Sequence, residues 1–166
     1  MSQDQMKQRR LSFIVLSDFN AQNLASLLSK GPMAIDAEAA PFGQVMQMLL
    51  VSDADAWPSH LDGAIVWTSP QAVSINYRHA LEYDGEIDLE QMRAEVSAFA
   101  HALKHIPAHI RHIFVSTWTP LHPAEGRRGM LDMNPKLGIA AALMRMNLEL
   151  AEAIADDARI TLFDSS

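Results

Sequence analysis

From residue 11 onward, short apolar runs alternate with longer segments whose apolar positions recur every three or four residues. The first run is Leu11-Ser12-Phe13-Ile14-Val15-Leu16, near-continuous and closed by Ser17-Asp18-Phe19-Asn20. A run of that length is what a strand buried on both faces looks like, although periodicity alone leaves a helical segment open. Asp18 or Asn20 then offers a short side-chain oxygen to the free N–H groups of a following helix. That helix carries Leu24, Leu27 and Leu28 at helical spacing and stops at Gly31-Pro32. Residues 33–40 predict a weaker second strand. After Pro41-Phe42-Gly43, residues 44–51 predict a second helix.

The third strand, Gly63-Ala64-Ile65-Val66-Trp67, is β-prone and runs into Thr68-Ser69-Pro70. The polar connection that follows is too long for an ordinary loop, so short helical pieces or a functional loop are expected there. Leu89, Met92, Val96, Phe99 and Leu103 then fall three or four apart, an amphipathic helix capped by Asp88 and ended by Pro107. A fourth strand, residues 112–117, opens into a long loop over 118–135. The longest helix is expected over 136–155, and a last strand over 159–163. Met130, Met133, Met144 and Met146 are read as core filling. Strands alternating with helices imply right-handed crossovers. The expected fold is therefore α/β: a three-layer sandwich whose mostly parallel sheet of about five strands is covered on both faces, flavodoxin-like in kind.

The chain has 166 residues, the size of one domain, with 49% hydrophobic and 20% charged residues, so disorder is excluded. Thirteen Lys plus Arg against twenty Asp plus Glu give a net charge of -7, which argues against a nucleic-acid partner. With no cysteine there is no disulfide, thiolate nucleophile or Cys-ligated metal. Residues 1–10 read as a polar tail without the apolar centre of a signal peptide, and no apolar run is long enough to span a membrane. The expected location is cytoplasmic, with no membrane partner and no cofactor.

Ligands of an open parallel sheet bind beyond the carboxyl ends of its strands. The polar residues there are Ser17, Asp18 and Asn20, then Gly43 and Gln44, Thr68 and Ser69, Thr117, Thr119 and His122, and Asp164. Ser17, on a strand-to-helix turn, could act as a nucleophile, with a Gly43 N–H stabilising an oxyanion. The plainer alternative is that Ser17 bonds a neighbouring backbone group and Gly43 only permits a turn. His122 is the candidate base, or else a solvated loop histidine between two prolines. Arg127 and Arg128 could hold a phosphate or carboxylate, or simply line a solvated turn. His101 and His105 have the spacing of a metal pair, with His109 and His112 following. No acidic third ligand completes that set, so no metal site is expected. The pairs Asp53/Asp55 and Asp156/Asp157 read as caps or solvated faces. Neither a Walker loop nor a GxGxxG stretch is present.

Four segments in this order carry a family resemblance: Val15-Leu16-Ser17-Asp18-Phe19-Asn20 with Leu24; Ala40-Pro41-Phe42-Gly43-Gln44; Val66-Trp67-Thr68-Ser69-Pro70-Gln71-Ala72-Val73; and Arg128-Gly129-Met130-Leu131-Asp132-Met133 through Leu143-Met144-Arg145-Met146-Asn147-Leu148 to Leu162-Phe163-Asp164. Over about residues 11–166 the chain resembles the N-terminal region of FkbH-like proteins, where an SGNH-hydrolase-like domain precedes a haloacid-dehalogenase-type catalytic domain. Full-length members of that family are associated with loading a glyceryl-type acyl unit onto an acyl carrier protein, a chemistry that belongs to their haloacid-dehalogenase part. The DxDxT aspartate of that catalytic domain is absent here, so its activity is not carried over, and the chain is expected to be a fragment ending at the domain boundary or else a natural stand-alone version. The SGNH blocks match only in part. Ser17 stands in a Leu-Ser-Asp order, Gly43 matches the second-block glycine, and Thr68 and Ser69 occupy the third-block asparagine region. Asp164 lies where the last block begins, with no histidine after it. Two functions are thereby expected. One is an accessory domain that presents a carrier-bound acyl group on its phosphopantetheine arm to a neighbouring haloacid-dehalogenase domain, with Arg127 and Arg128 toward an acidic partner. The other is an SGNH-type esterase, thioesterase or acyltransferase with Ser17, Gly43, Thr68, His122 and Asp164 as its catalytic set.

Overall fold

The computed structural model describes residues 9–51, 57–83, 86–119, 129–134, 136 and 138–164. The five apolar runs form strands β1 (Leu11–Ser17), β2 (Ile35–Ala39), β3 (Gly63–Trp67), β4 (His112–Ser116) and β5 (Ile160–Phe163). They make one sheet in the order β2-β1-β3-β4-β5, and every neighbouring pair is parallel. The helices are α1 (Gln22–Lys30), α2 (Val45–Leu50), α3 (Pro70–Val73), α4 (Ile75–Tyr83), α5 (Leu89–Lys104) and α6 (Ile139–Ile154). The polar connection after β3 is thus helical, as α3 and α4. Asp88 caps α5, its side chain accepting from the N–H groups of Glu90 and Gln91 at 3.0 and 3.1 Å.

The register explains why β1 reads as a continuous apolar run. Phe13 and Val15 share one face with Ile65 and Trp67 of β3, whereas Ile14 and Leu16 share the other with Ala64 and Val66. All four β1 side chains are buried. Burial of each stabilises the fold by roughly 1.5–3 kcal/mol. The Ile14 face packs into the main core with α2, α4, α5 and α6, around Trp57, Tyr77, Phe99, Leu150 and Ile154. The opposite face carries a smaller core of Val15, Ala21 and Ala25 beneath α1.

On that opposite face α1 is the covering helix among the described residues. α1 lies over β1 and β2, and beyond it an apolar groove of about 300 Å³ runs between Leu24 and Leu28 of α1 and Ile65, Trp67, Phe114 and Phe163. The methionines divide. Met146 is fully buried, whereas Met133, which precedes α6, and Met144 are exposed; the inward stripe of α6 runs through Ile139, Ala142, Leu143, Met146 and Leu150 and leaves Met144 outside.

Two residues tie the amino edge of the sheet together. A Cβ on Gly63 would stand 2.2 Å from the Phe13 ring and 2.7 Å from the His112 carbonyl oxygen, so close strand packing requires glycine there. Arg159, just before β5, donates to both carboxylate oxygens of Asp157 and to the carbonyls of Lys104, Ile106 and Pro107. It therefore binds the end of α5 and the turn after it to β5, and satisfies the Lys104 carbonyl that the helix leaves free. The hydrogen bond from Arg159 holds the Asp157 carboxyl below its usual range. Lys104 does the same for Asp156.

Candidate functional site

Because all five strands are parallel, their carboxyl ends share one edge, and the chain reverses direction across the sheet between β1 and β3. Ligands of such sheets settle in the crevice at that reversal. Asp18 and Ser69 meet there. One Asp18 carboxylate oxygen accepts from the Ser69 N–H at 2.9 Å and also from the Ser69 hydroxyl. The other, Oδ1, is buried with no hydrogen-bond partner. The pair ties the end of β1 to the start of α3, whose first residue is Pro70. Ser69 precedes that helix, but its hydroxyl bonds Asp18 and not the helix backbone.

Ser17, the last residue of β1, is buried, and its hydroxyl donates to the Phe19 carbonyl oxygen at 2.5 Å. Its proton thus goes to its own turn. Asn20 accepts from the Gln22 N–H at 3.0 Å and so begins α1. Gly43 is exposed with φ 74°, a conformation that favours glycine, and a Cβ there would meet nothing within 4 Å. Its turn borders a cavity of about 210 Å³ walled by Phe19, Asn20, Gln22, Pro41 and Phe42.

Thr68 is buried, and its hydroxyl oxygen accepts from the Trp118 indole N–H at 3.1 Å. Trp118 is fixed again by Asn147 of α6, which accepts from the Trp118 N–H and donates to its carbonyl oxygen, both at 2.8 Å. Sequence reasoning passed over Asn147. Its signal is a single amide between Met146 and Leu148, in a helix whose other polar residues, Arg145, Glu149 and Glu152, are all charged. The clamp sets the root of the loop that follows β4, where Thr119 is half-buried. His122, Arg127 and Arg128 lie outside the described residues, as do Asp53 and Asp55.

Asp164 follows β5, three strands from β1. At about 4.8 Å per strand, those two strands stand roughly 14 Å apart. Ser17 and Asp164 therefore share an edge of the sheet but are not neighbours on it. The described histidines lie elsewhere. His60, His109 and His112 precede or begin strands, and His101 and His105 end α5, all toward the amino edge, while His79 lies on α4. Among the described residues no histidine is placed beside the Ser17 hydroxyl, and no group of three or more His, Cys, Asp or Glu could hold a metal ion. No described helix is long and apolar enough to cross a membrane.

No family model matches the chain, and no curated protein matches it either. Its fold is similar to a crystal structure described as the N-terminal part of the protein BF1531 from Bacteroides fragilis, containing a phosphatase domain complexed with Mg. The two superpose with a TM-score of 0.71 at 14% identity, over 94% of this chain. The chain spans 40% of that neighbour's length. At this identity the likeness establishes the three-layer α/β fold.

Proposed function

We propose that this chain is a non-catalytic α/β domain of the FkbH-like kind, one that helps a phosphatase-type catalytic domain engage an acyl group carried on an acyl carrier protein. Three things support the reading. The sequence segments resemble that N-terminal region, the fold resembles part of a phosphatase-containing protein, and the Ser17, Thr68 and Ser69 hydroxyls at the carboxyl edge are already bonded to their own chain. The observation that carries it is the Ser17 hydroxyl, buried and donating to the Phe19 carbonyl, with no described histidine to take its proton. A serine without a base loses orders of magnitude in rate.

The competing reading is an SGNH-type hydrolase or acyltransferase using Ser17, with Gly43, Thr68, His122 and Asp164 around it. A fluorophosphonate probe separates the two. The binding-domain reading expects no covalent adduct on the folded chain. An adduct on Ser17 that disappears in Ser17→Ala would overturn it. The positive test is titration with acyl carrier protein. Binding should weaken with salt and in the Arg127→Ala/Arg128→Ala double variant, and absence of any binding removes the carrier-protein part.

A further inference from the structure

His101 lies in the last turn of α5 and His105 caps its carboxyl end, four residues apart and both exposed. Their ring centroids are 4.2 Å apart with the planes inclined at 59°. The His105 Nδ1 lies 2.8 Å from the His101 carbonyl oxygen. A carbonyl only accepts, so Nδ1 bears the proton of the neutral ring and Nε2 keeps the lone pair. The same second-atom hydrogen bond fixes the liganding nitrogen in histidine metal sites. We propose that His101 and His105 form an open two-nitrogen site for a divalent transition ion of the copper, nickel and zinc class.

The surroundings favour this site. Two imidazole nitrogens bound to one zinc at 2.0–2.1 Å stand about 3.3 Å apart in tetrahedral geometry, a separation that rings already in contact reach by side-chain rotation. Both rings border a cleft of about 210 Å³ between α2 and α5, walled by Leu49, Leu50, Ala98 and Ala102. Lys104, the cation on the same turn, is paired with Asp156. The donor set is nitrogen with no carboxylate, which disfavours magnesium and calcium. It therefore differs in kind from the magnesium named with the neighbour's phosphatase domain. With no third protein ligand among the described residues, water fills the remaining positions, and a donor from a bound molecule can displace it.

The test is calorimetric titration of the whole chain, without a purification tag, at about pH 7.5. The titrants are zinc, nickel and magnesium chlorides. We expect a single equivalent of zinc or nickel to bind and magnesium to give no response. His101→Ala and His105→Ala should each weaken binding by roughly tenfold or more, with unchanged far-ultraviolet circular dichroism because both side chains are exposed. His60→Ala and His112→Ala should bind as the parent does. Imidazole proton resonances of the parent chain should move for His101 and His105 on adding zinc, a readout independent of any variant. Absence of zinc and nickel binding, parent-like binding in His101→Ala, or resonance shifts confined to other histidines would each overturn the proposal.

Discussion

Replacing Asp18 tests whether the contact at the β1–β3 crevice is a strut of the fold. In the structure its carboxylate receives two hydrogen bonds from Ser69 while one oxygen is buried without a partner. A bond to a charged group is worth about 1.5–3 kcal/mol net, and a buried unsatisfied atom costs about 1–3 kcal/mol. Asp18→Ala loses both bonds and relieves the orphan oxygen, leaving a net loss of about 1–3 kcal/mol. For a domain of this size, each kcal/mol shifts the melting temperature by about 2–4 °C. Asp18→Asn keeps an acceptor for the Ser69 N–H and removes the unpaired charge, so its loss should be smaller, under about 1 kcal/mol. Ser69→Ala should be non-additive with Asp18→Ala, with a coupling of about 1 kcal/mol in a urea-denaturation cycle. The strut argument fails if Asp18→Ala lies within about 0.5 kcal/mol of the parent and adds to Ser69→Ala without coupling.

Other substitutions probe the amino edge and the Trp118 clamp. Arg159→Ala removes an ion pair and three carbonyl bonds from a side chain 25% exposed. Discounted for solvent, it should cost about 2–3 kcal/mol, or about 4–12 °C in melting temperature by calorimetry. The Asp157 carboxyl is held below its usual value by Arg159. Its contribution is therefore complete above the unfolded value near 3.9 and drains away as pH falls through the lower folded value. Between about pH 5 and pH 2 the parent should lose more urea resistance than Asp157→Asn, and equal losses would contradict this. Gly63→Ala should cost about 2–3 kcal/mol, because the His112 carbonyl at 2.7 Å belongs to the backbone and must move. Asn147→Ala should speed proteolysis in the segment after Trp118 at a stability cost of about 1–3 kcal/mol, and an unchanged cleavage pattern would contradict the clamp.

The parts of the fold legible in the sequence are those that depend on local pattern. The Gly63 to Trp67 run appears as β3 with the same bounds, and Asp88 caps α5 as its spacing implies. Coverage of the sheet was less legible, because Trp67, Phe114 and Phe163 read as core residues whether or not a helix lies over them. The methionines of α6 failed for a related reason. Met144 and Met146 are two apart, about 200° around a helix, so one points in and the other out. For the candidate site, parallel topology fixes which residues share an edge. It cannot fix which way a short side chain turns.

That limit bears directly on Ser17. Its place at the end of β1 suits a nucleophile and a turn-former equally. What distinguishes them is one torsion, which directs the hydroxyl to the Phe19 carbonyl. The histidines carry the same lesson at larger scale. They are spread widely along the chain, yet five of the six described lie toward the amino edge, because they precede or begin strands or end the helix that feeds β4. An imidazole on that side cannot serve a hydroxyl at the carboxyl edge, since a five-residue strand of about 3.3 Å per residue separates them. His122 is the base the hydrolase reading proposes for Ser17, and a His122→Ala variant that leaves fluorophosphonate reactivity unchanged would remove it.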